Sequence, residues 1–325
     1  MTAGSFDRLP MDQPQGLCDI IGLAFRIWRK NLALIFRALI VPTILLSVSA
    51  TALQLCLTYG TSGSNDFSRV MTYVGVGIAA FFLYLFSLFF LSVRQLAIVR
   101  LFTGFAPNWE KANSYCMKKL PWIAGLALIS ILIWSVIIGI FFCLIGLSTY
   151  FTSTGSVGAF FGIVGLVIAF FACIITVCLM AMFSFMGLAV LACEDTTFFG
   201  VIGQSIHWTW RYLGRVLCFG FMFYVIFTVV TIPVSLPVAV ASIADVFIQQ
   251  SAKAIAAGTA SEHKLSLGVM IFVQVWEAIC GLLLRPVTVL CFGLFYLDLR
   301  QRSDGLDLFR RLKDLKAQYI GDSPS

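Results

Sequence analysis

The sequence contains one long stretch, residues 120–193, in which no residue carries a formal charge. A transmembrane helix needs about 20 apolar residues to cross a hydrocarbon core of about 30 Å, so this stretch can cross a membrane at least twice. A membrane β-barrel would instead show segments of about 10 residues with alternating polarity. Only 11% of the chain is charged, compared with about 25% in soluble domains. The sequence therefore predicts an all-α fold, a polytopic membrane helix bundle.

Six apolar segments are predicted to span the membrane. The charge-free stretch could hold two long helices or three standard ones, with a weak turn at residues 148–156. Two helices keep Arg211, Arg215 and the basic C-terminal tail on the same side as the other basic segments, which the positive-inside rule favours. The predicted spans cover about residues 32–57, 70–93, 121–147, 157–185, 216–240 and 267–297.

The predicted membrane domain covers residues 16–300 and is flanked by polar tails. Residues 1–15 are predicted to form a disordered cytoplasmic tail, and residues 301–325 a basic cytoplasmic tail. Residues 16–30 place apolar side chains at helical spacing and end in basic residues, which predicts an amphipathic interfacial helix. Residues 245–264 are predicted to be a polar external loop or a surface helix.

The distribution of basic residues predicts the orientation of the chain. Most of the 22 lysines and arginines flank the same ends of the predicted spans, and the predicted outer loops contain Arg69, Lys253 and Lys264. Both termini are therefore expected in the cytoplasm. The basic inner segments are expected to attract the anionic headgroups of the lipid bilayer, and their position beside spans does not indicate nucleic-acid binding.

Three segments share one plan, in which an amphipathic helix is followed by basic residues and then by a span. They cover residues 24–40, 112–129 and 205–222. Each is predicted to open a two-span hairpin of the same orientation, which would give a parallel repeat about an axis along the membrane normal. Duplication and convergence on a common way of entering a bilayer both explain this pattern.

Motifs of catalysis and of metal or cofactor binding are absent from the sequence. The 10 cysteines show no C-x-x-C spacing, and none lies in a predicted outer loop, so neither a zinc site nor a disulfide framework is expected. The patterns H-E-x-x-H, P-loop, G-x-S-x-G and G-x-G-x-x-G are also missing. No catalytic, cofactor-binding or metal-ligating residue is predicted, and the protein is expected to be non-enzymatic.

Charged residues inside predicted spans define a candidate intramembrane polar site, because burying a charge in lipid is costly. Glu277 and Arg285 lie within the last span, and Arg37 lies near the cytoplasmic end of the first. Eight residues on a helix separate Glu277 and Arg285 by about 12 Å along the axis and about 80° around it, so each needs another partner. Both a solute or proton path and a structural role, as a polar helix contact or a snorkelling arginine, are compatible with this pattern.

A polar elbow at residues 194–215 separates the fourth and fifth predicted spans. Its aromatic residues stand beside His207 and before Arg211 and Arg215. Trp208 and Trp210 are predicted to form an interfacial aromatic belt. A metal site at His207 is not expected, because this histidine has no cluster of further ligands.

Two stretches resemble a known family. Residues 188–217 (LAVLACEDTTFFGVIGQSIHWTWRYLGRVL) combine an acidic residue, a serine followed by aromatic residues, and a basic start of a span. This pattern resembles the membrane domain found in some bacterial glycerophosphoryl diester phosphodiesterases and in related stand-alone multi-span proteins. Residues 285–308 are similar to that family's last span, with matches at Tyr296, Asp298, Leu299, Arg300, Arg302, Asp304 and Gly305. Gln204 differs, because the family usually has a basic residue there.

The resemblance implies an integral protein of the bacterial cytoplasmic (inner) membrane that acts as a partner or scaffold in envelope or lipid functions. Phosphodiesterase activity is not expected, since this sequence lacks the catalytic domain. The candidate interfacial or partner face comprises His207, Trp208, Trp210, Arg211, Arg215, Asp298 and Arg300. The alternative function is a small-solute or ion transporter with a polar site around Glu277 and Arg285.

Overall fold

The computed structural model describes residues 15–60, 67–152, 156–255 and 266–303, together with Leu312. In these residues every regular element is an α-helix: α1 (Leu17–Lys30), α2 (Leu32–Gly60), α3 (Phe67–Phe102), α4 (Trp109–Lys118), α5 (Leu120–Thr152), α6 (Ser156–Cys193), α7 (Phe198–Arg211), α8 (Leu213–Ile255) and α9 (Leu267–Ser303). Segments long and apolar enough to cross a membrane occur in α2, α3, α5, α8 and α9. The predicted all-α membrane architecture is confirmed at this level.

The helices form three units that each contain a short helix, a long outer helix and a long inner helix. A single non-helical residue separates the short helix from the outer one, and this residue is Asn31, Lys119 and Tyr212 in the three units. All three breaks have similar backbone angles, with φ between −118° and −90° and ψ between 4° and 33°. These breaks coincide with the basic residues of the predicted repeat.

The three units are arranged cyclically. The inner helices α3, α6 and α9 contact one another at the centre, and each outer helix packs between two inner ones: α2 on α3 and α9, α5 on α6 and α3, α8 on α9 and α6. Each short helix lies on the inner helix of the preceding unit, α4 on α3, α7 on α6 and α1 on α9. The tertiary contacts therefore contain the predicted threefold plan.

The hydrophobic core is concentrated at one end of the bundle, where α1, α4 and α7 contact the C-terminal ends of the inner helices. We call this end the base. Its buried side chains come from residues 91–101 of α3, 182–193 of α6 and 287–299 of α9. Stacked rings fix the centre, with centroids 4.0 Å apart for Phe219 and Phe295 and 4.2 Å apart for Phe185 and Phe292. Towards the other end large apolar side chains are exposed, as expected for helices solvated by lipid.

The helices extend further than the apolar runs predicted. The inner helix α3 continues to Phe102 rather than 93, because its last turns are buried in the base. Helix α8 continues to Ile255, through Pro233 and Pro237, so residues 245–255, predicted as a loop or a surface helix, continue the fifth spanning helix. Asp245 is buried in this extension and accepts a hydrogen bond of 2.9 Å from the backbone N–H of Ser266. The predicted tails and most loop residues lie outside the described residues.

Candidate functional site

The first polar cluster of the base is centred on Asp298, whose side chain is fully buried near the end of α9. Arg215 donates to its Oδ2 atom from Nε at 3.1 Å and from Nη2 at 2.8 Å, and Arg302 donates to the same oxygen from Nε at 3.2 Å. The backbone N–H of Gln15 donates to Oδ1 at 2.9 Å. Both arginines also donate to the Gln15 carbonyl. This Asp298 cluster ties together the beginnings of α1 and α8 and the end of α9.

A second cluster surrounds Glu194, the first residue after α6. The hydroxyl of Tyr296 donates to the Glu194 carboxylate in a short hydrogen bond, and Arg300 forms an ion pair with it at 3.7 Å. The Tyr115 hydroxyl of α4 donates to the Glu194 backbone carbonyl at 3.0 Å. The Glu194 cluster therefore joins the inner helices α6 and α9 to the short helix of the second unit.

Arg100 at the end of α3 completes this second cluster. It is only 8% exposed, donates from Nη1 to the Ala192 carbonyl at 2.8 Å, and places its guanidinium 3.5 Å from the centre of the Tyr115 ring. A weaker contact of 3.4 Å joins it to the exposed Asp195 carboxylate. The last carbonyls of a helix have no helical partner and carry a partial negative charge, so a buried arginine here caps α6.

Titratable groups of α4 and of the residue that follows it lie near Arg100, and Cys116 among them is buried. Burial raises the pKa of the Cys116 thiol to about 12 and, with the nearby Asp195 carboxylate, raises the pKa of the Tyr115 hydroxyl. Desolvation lowers the pKa of the Lys119 ammonium, which lies 3.4 Å from the Trp122 ring. At neutral pH the thiol and the phenol stay protonated, so neither is an activated nucleophile or base.

The residues of the predicted intramembrane polar site are not joined to one another. Glu277, Arg285 and Arg37 are all exposed in the described part of the chain, and no hydrogen bond or ion pair links any two of them. Arg285 turns back over Gly281, because a glycine there leaves room for its side chain. Contacts among these three residues therefore do not enclose a binding site or a path for a solute.

The predicted partner face is divided by the structure into a buried and an exposed part. Trp208 is buried and packs on Tyr212 and Tyr296, since it shares the inner face of α7 with Val201 and Ser205. The exposed part comprises His207, Trp210 and Arg211, whereas Arg215 and Asp298 form the first cluster and Arg300 binds in the second.

The outer face of α7 carries an exposed apolar stripe. Phe199 is 81% exposed, Ile206 45% and Trp210 68%, and their spacing places them along one side of the helix. Helix α1 presents exposed basic residues in its last turns, namely Arg26, Arg29 and Lys30. The surface of the base therefore combines apolar and basic side chains, which we call the interfacial face.

The two stretches that carry the family resemblance meet in the structure. Glu194 and Arg215 come from the first stretch, and they contact Tyr296, Arg300 and Asp298 from the second. Sequence reasoning missed Arg100, because it lies beyond the predicted end of the second span. Its only signal is a single arginine within an apolar run, LAIVRLF.

The fold and the base define a class, an all-helical membrane-bundle protein with a polar, basic end. Among the described residues no group of three or more His, Cys, Asp or Glu side chains could hold a metal ion. No protein-family model matches the chain, and neither a curated protein nor a solved structure is significantly similar to it.

Proposed function

We propose that this protein is a non-catalytic scaffold of the bacterial inner membrane, with six spans and both termini in the cytoplasm. Its base lies at the cytoplasmic surface, where it engages anionic lipid and a protein partner. The observation that carries this proposal is the interfacial face, which presents apolar and basic residues from short helices that the inner helices hold in place.

The sixth span in this proposal is α6. Ser156–Cys193 contains 38 residues without a formal charge, and the helix runs beside α9 from the Phe185–Phe292 stack to the Glu194 cluster. A helix of this length exceeds the roughly 20 residues needed to cross a bilayer. With six crossings both termini lie on the same side as the base, and the positive-inside rule favours the cytoplasmic side for these basic segments.

The short helices support a location in the inner headgroup region. In α7 the buried face packs on α6 through Val201 and Ser205, and the opposite face exposes Phe199 and Trp210. Apolar residues on an interfacial helix insert into the boundary between headgroups and acyl chains, and basic residues attract anionic lipid. The two polar clusters keep the base rigid, which a scaffold needs to present one constant surface.

Reporter fusions test the proposed topology. We expect alkaline phosphatase to be active when fused after Gly60, Thr152 or Ile255, which end the outward-running helices. We expect green fluorescent protein to be fluorescent when fused after Phe102, Cys193 or Ser303, because these ends would remain in the cytoplasm. Equal results after Thr152 and Cys193 would mean that α6 does not cross the membrane.

Photo-crosslinking tests the interfacial face. A photoreactive amino acid in place of Trp210 or Phe199 is expected to form adducts with lipid or with a second protein in cells, because both side chains are exposed. The control is Thr209, which is buried against the rest of the chain although it neighbours Trp210, and there only adducts within the chain are expected. Adducts restricted to this chain at all three positions would contradict the proposal.

The alternative function, a small-solute or ion transporter, would require Glu277 and Arg285 to bind the transported species.

A further inference from the structure

Arg94 on α3 is an arginine without a polar partner. No hydrogen bond or ion pair joins its side chain to another residue of the described chain. Its guanidinium instead lies over two aromatic rings, with Cζ 4.9 Å from the centre of the Phe90 ring and 5.6 Å from that of Trp109 on α4. These cation–π contacts hold the charged group in the angle between α3 and α4.

The donor edge of this guanidinium is accessible. Arg94 is half-buried, and its Nε atom is enclosed without an acceptor, whereas its two terminal nitrogen atoms are not enclosed. Arginine binds two oxygen atoms of one phosphate through parallel N–H donors of this kind. A phosphate can therefore bind to the guanidinium fork without breaking a hydrogen bond of the protein.

Arg94 lies at one edge of the hydrocarbon core. Residues 70–93 carry no formal charge, and about 20 apolar residues cross the core, so Arg94 is the first charged residue on the side of the base. The phosphates of the lipid headgroups lie just beyond this boundary, within reach of a long arginine side chain. In the proposed topology the leaflet on this side is the inner one.

A row of phenylalanines leads from Arg94 into the hydrocarbon core. Phe90, Phe86 and Phe82 precede it at intervals of four residues, which makes consecutive members neighbours on the surface of α3. The rings of Phe86 and Phe90 stack with centroids 6.1 Å apart, and Phe86 and Phe82 are 60% and 65% exposed. Twelve residues of helix measure about 18 Å, compared with about 15 Å for half of the hydrocarbon core, so the row has about the length of an acyl chain.

We propose that Arg94, Trp109 and this row of phenylalanines bind one anionic phospholipid of the inner leaflet. The guanidinium fork binds the phosphate, and an acyl chain lies along the three phenylalanine rings. The net negative charge of the lipid neutralises an arginine that no carboxylate of the described chain neutralises. The order of the groups along α3 is that of an inner-leaflet lipid, whose phosphate faces the cytoplasm and whose acyl chains point to the middle of the bilayer.

This site is separate from the interfacial face, which α7 and α1 form. The inference rests on the proposed position of the base at the cytoplasmic surface, because the opposite orientation would place Arg94 in the outer leaflet. The reporter fusions test that orientation. Lipid retention by the purified protein does not depend on orientation, so the site and the topology can fail independently.

Native mass spectrometry of the purified full-length protein tests this site. Incubation with equimolar phosphatidylglycerol and phosphatidylcholine is expected to leave one bound phosphatidylglycerol, retained about fivefold over phosphatidylcholine, which is the ratio expected from one additional charge near the membrane surface. Arg94→Gln is expected to lower the retention of phosphatidylglycerol about tenfold, because the charge-assisted hydrogen bonds to the phosphate are lost. Equal retention of the two lipids by the unmodified protein would overturn the choice of an anionic lipid.

Arg37→Gln is the matched control. Arg37 is an exposed arginine on another spanning helix, and no aromatic ring of the described chain holds its guanidinium, so its loss is expected to leave retention unchanged. An equal loss in both variants would overturn the site, because it would show a general attraction of lipid to basic residues. Inorganic phosphate at millimolar concentration is expected not to displace the lipid, and displacement would assign the fork to free phosphate instead.

A photoreactive phosphatidylglycerol shows where the acyl chain lies. With a diazirine in the middle of the chain, adducts are expected on the α3 segment that contains Phe82 and Phe86, and they are expected to be lost in Arg94→Gln. Adducts that persist on this segment in folded Arg94→Gln would contradict the role of the arginine.

Phe86→Ala keeps the test decisive if Arg94→Gln does not fold. It removes an exposed ring and is expected to lower the retention of phosphatidylglycerol about threefold, through lost contacts with the acyl chain. Unchanged retention in this variant would overturn the row of phenylalanines as part of the site.

Discussion

Asp298→Ala is expected to lower the free energy of unfolding by about 2–4 kcal/mol. The substitution leaves two arginines without their shared carboxylate and frees the backbone N–H of Gln15. The estimate is below the cost of breaking a fully buried pair, because the side chains of Arg215 and Arg302 are 24% and 32% exposed and can regain water. The melting temperature of the detergent-solubilised protein, followed by loss of the monodisperse elution peak, is expected to fall by about 5–10 °C.

Asp195→Ala is the matched control for this prediction. The Asp195 carboxylate is 72% exposed and its contact with Arg100 is 3.4 Å long, so a change within about 0.5 kcal/mol is expected. If Asp298→Ala melted at the same temperature as Asp195→Ala, the first cluster would not stabilise the base.

Gly293→Ala is expected to destabilise the protein by about 1–3 kcal/mol. A Cβ atom on Gly293 would lie 2.5 Å from Cγ1 of Val99, where α9 and α3 meet at the centre of the bundle. Val99 is buried and branched at Cβ, so its methyl group cannot turn away without moving the helix. The inner helices would have to separate, although alanine is the better helix former.

A double-mutant cycle with Val99→Ala isolates this contact. Removing the methyl groups makes room for the new Cβ, so the double variant is expected to be more stable, by about 1 kcal/mol or more, than the sum of the single effects implies. Gly139→Ala is the control, because nothing lies within 4 Å of a Cβ at that position. Additive effects in the cycle would show that Gly293 and Val99 do not limit the approach of the two helices.

Several features of the fold could be predicted from residue patterns. Lipid offers no hydrogen-bond partners, so a long uncharged run must become a helix whatever its neighbours are. This is why the five apolar segments agree with the prediction. The boundaries agreed less well, as α3 and α8 show, because packing and not composition decides where a helix ends.

The candidate sites also contain some residues that the sequence identifies and others that only the structure identifies. Glu277 and Arg285 could be picked out because a charge within an apolar run is conspicuous, but only the position of Gly281 shows where the guanidinium lies. Arg100 was missed because basic residues are common at span ends, and nothing local distinguishes the one that caps another helix. Trp208 and Trp210 look alike in sequence, yet one is buried and the other exposed.

By itself the sequence determined that the chain is helical and apolar enough for a membrane, and it indicated a plan repeated three times, because these properties depend on composition and spacing within single segments. Only the tertiary structure decided which segments meet. Asp298 lies far along the chain from Gln15 and from Arg215, and their contact exists because α1 lies on α9 beside the start of α8. Contacts between distant segments depend on how three units close around one axis, and no local pattern encodes that closure.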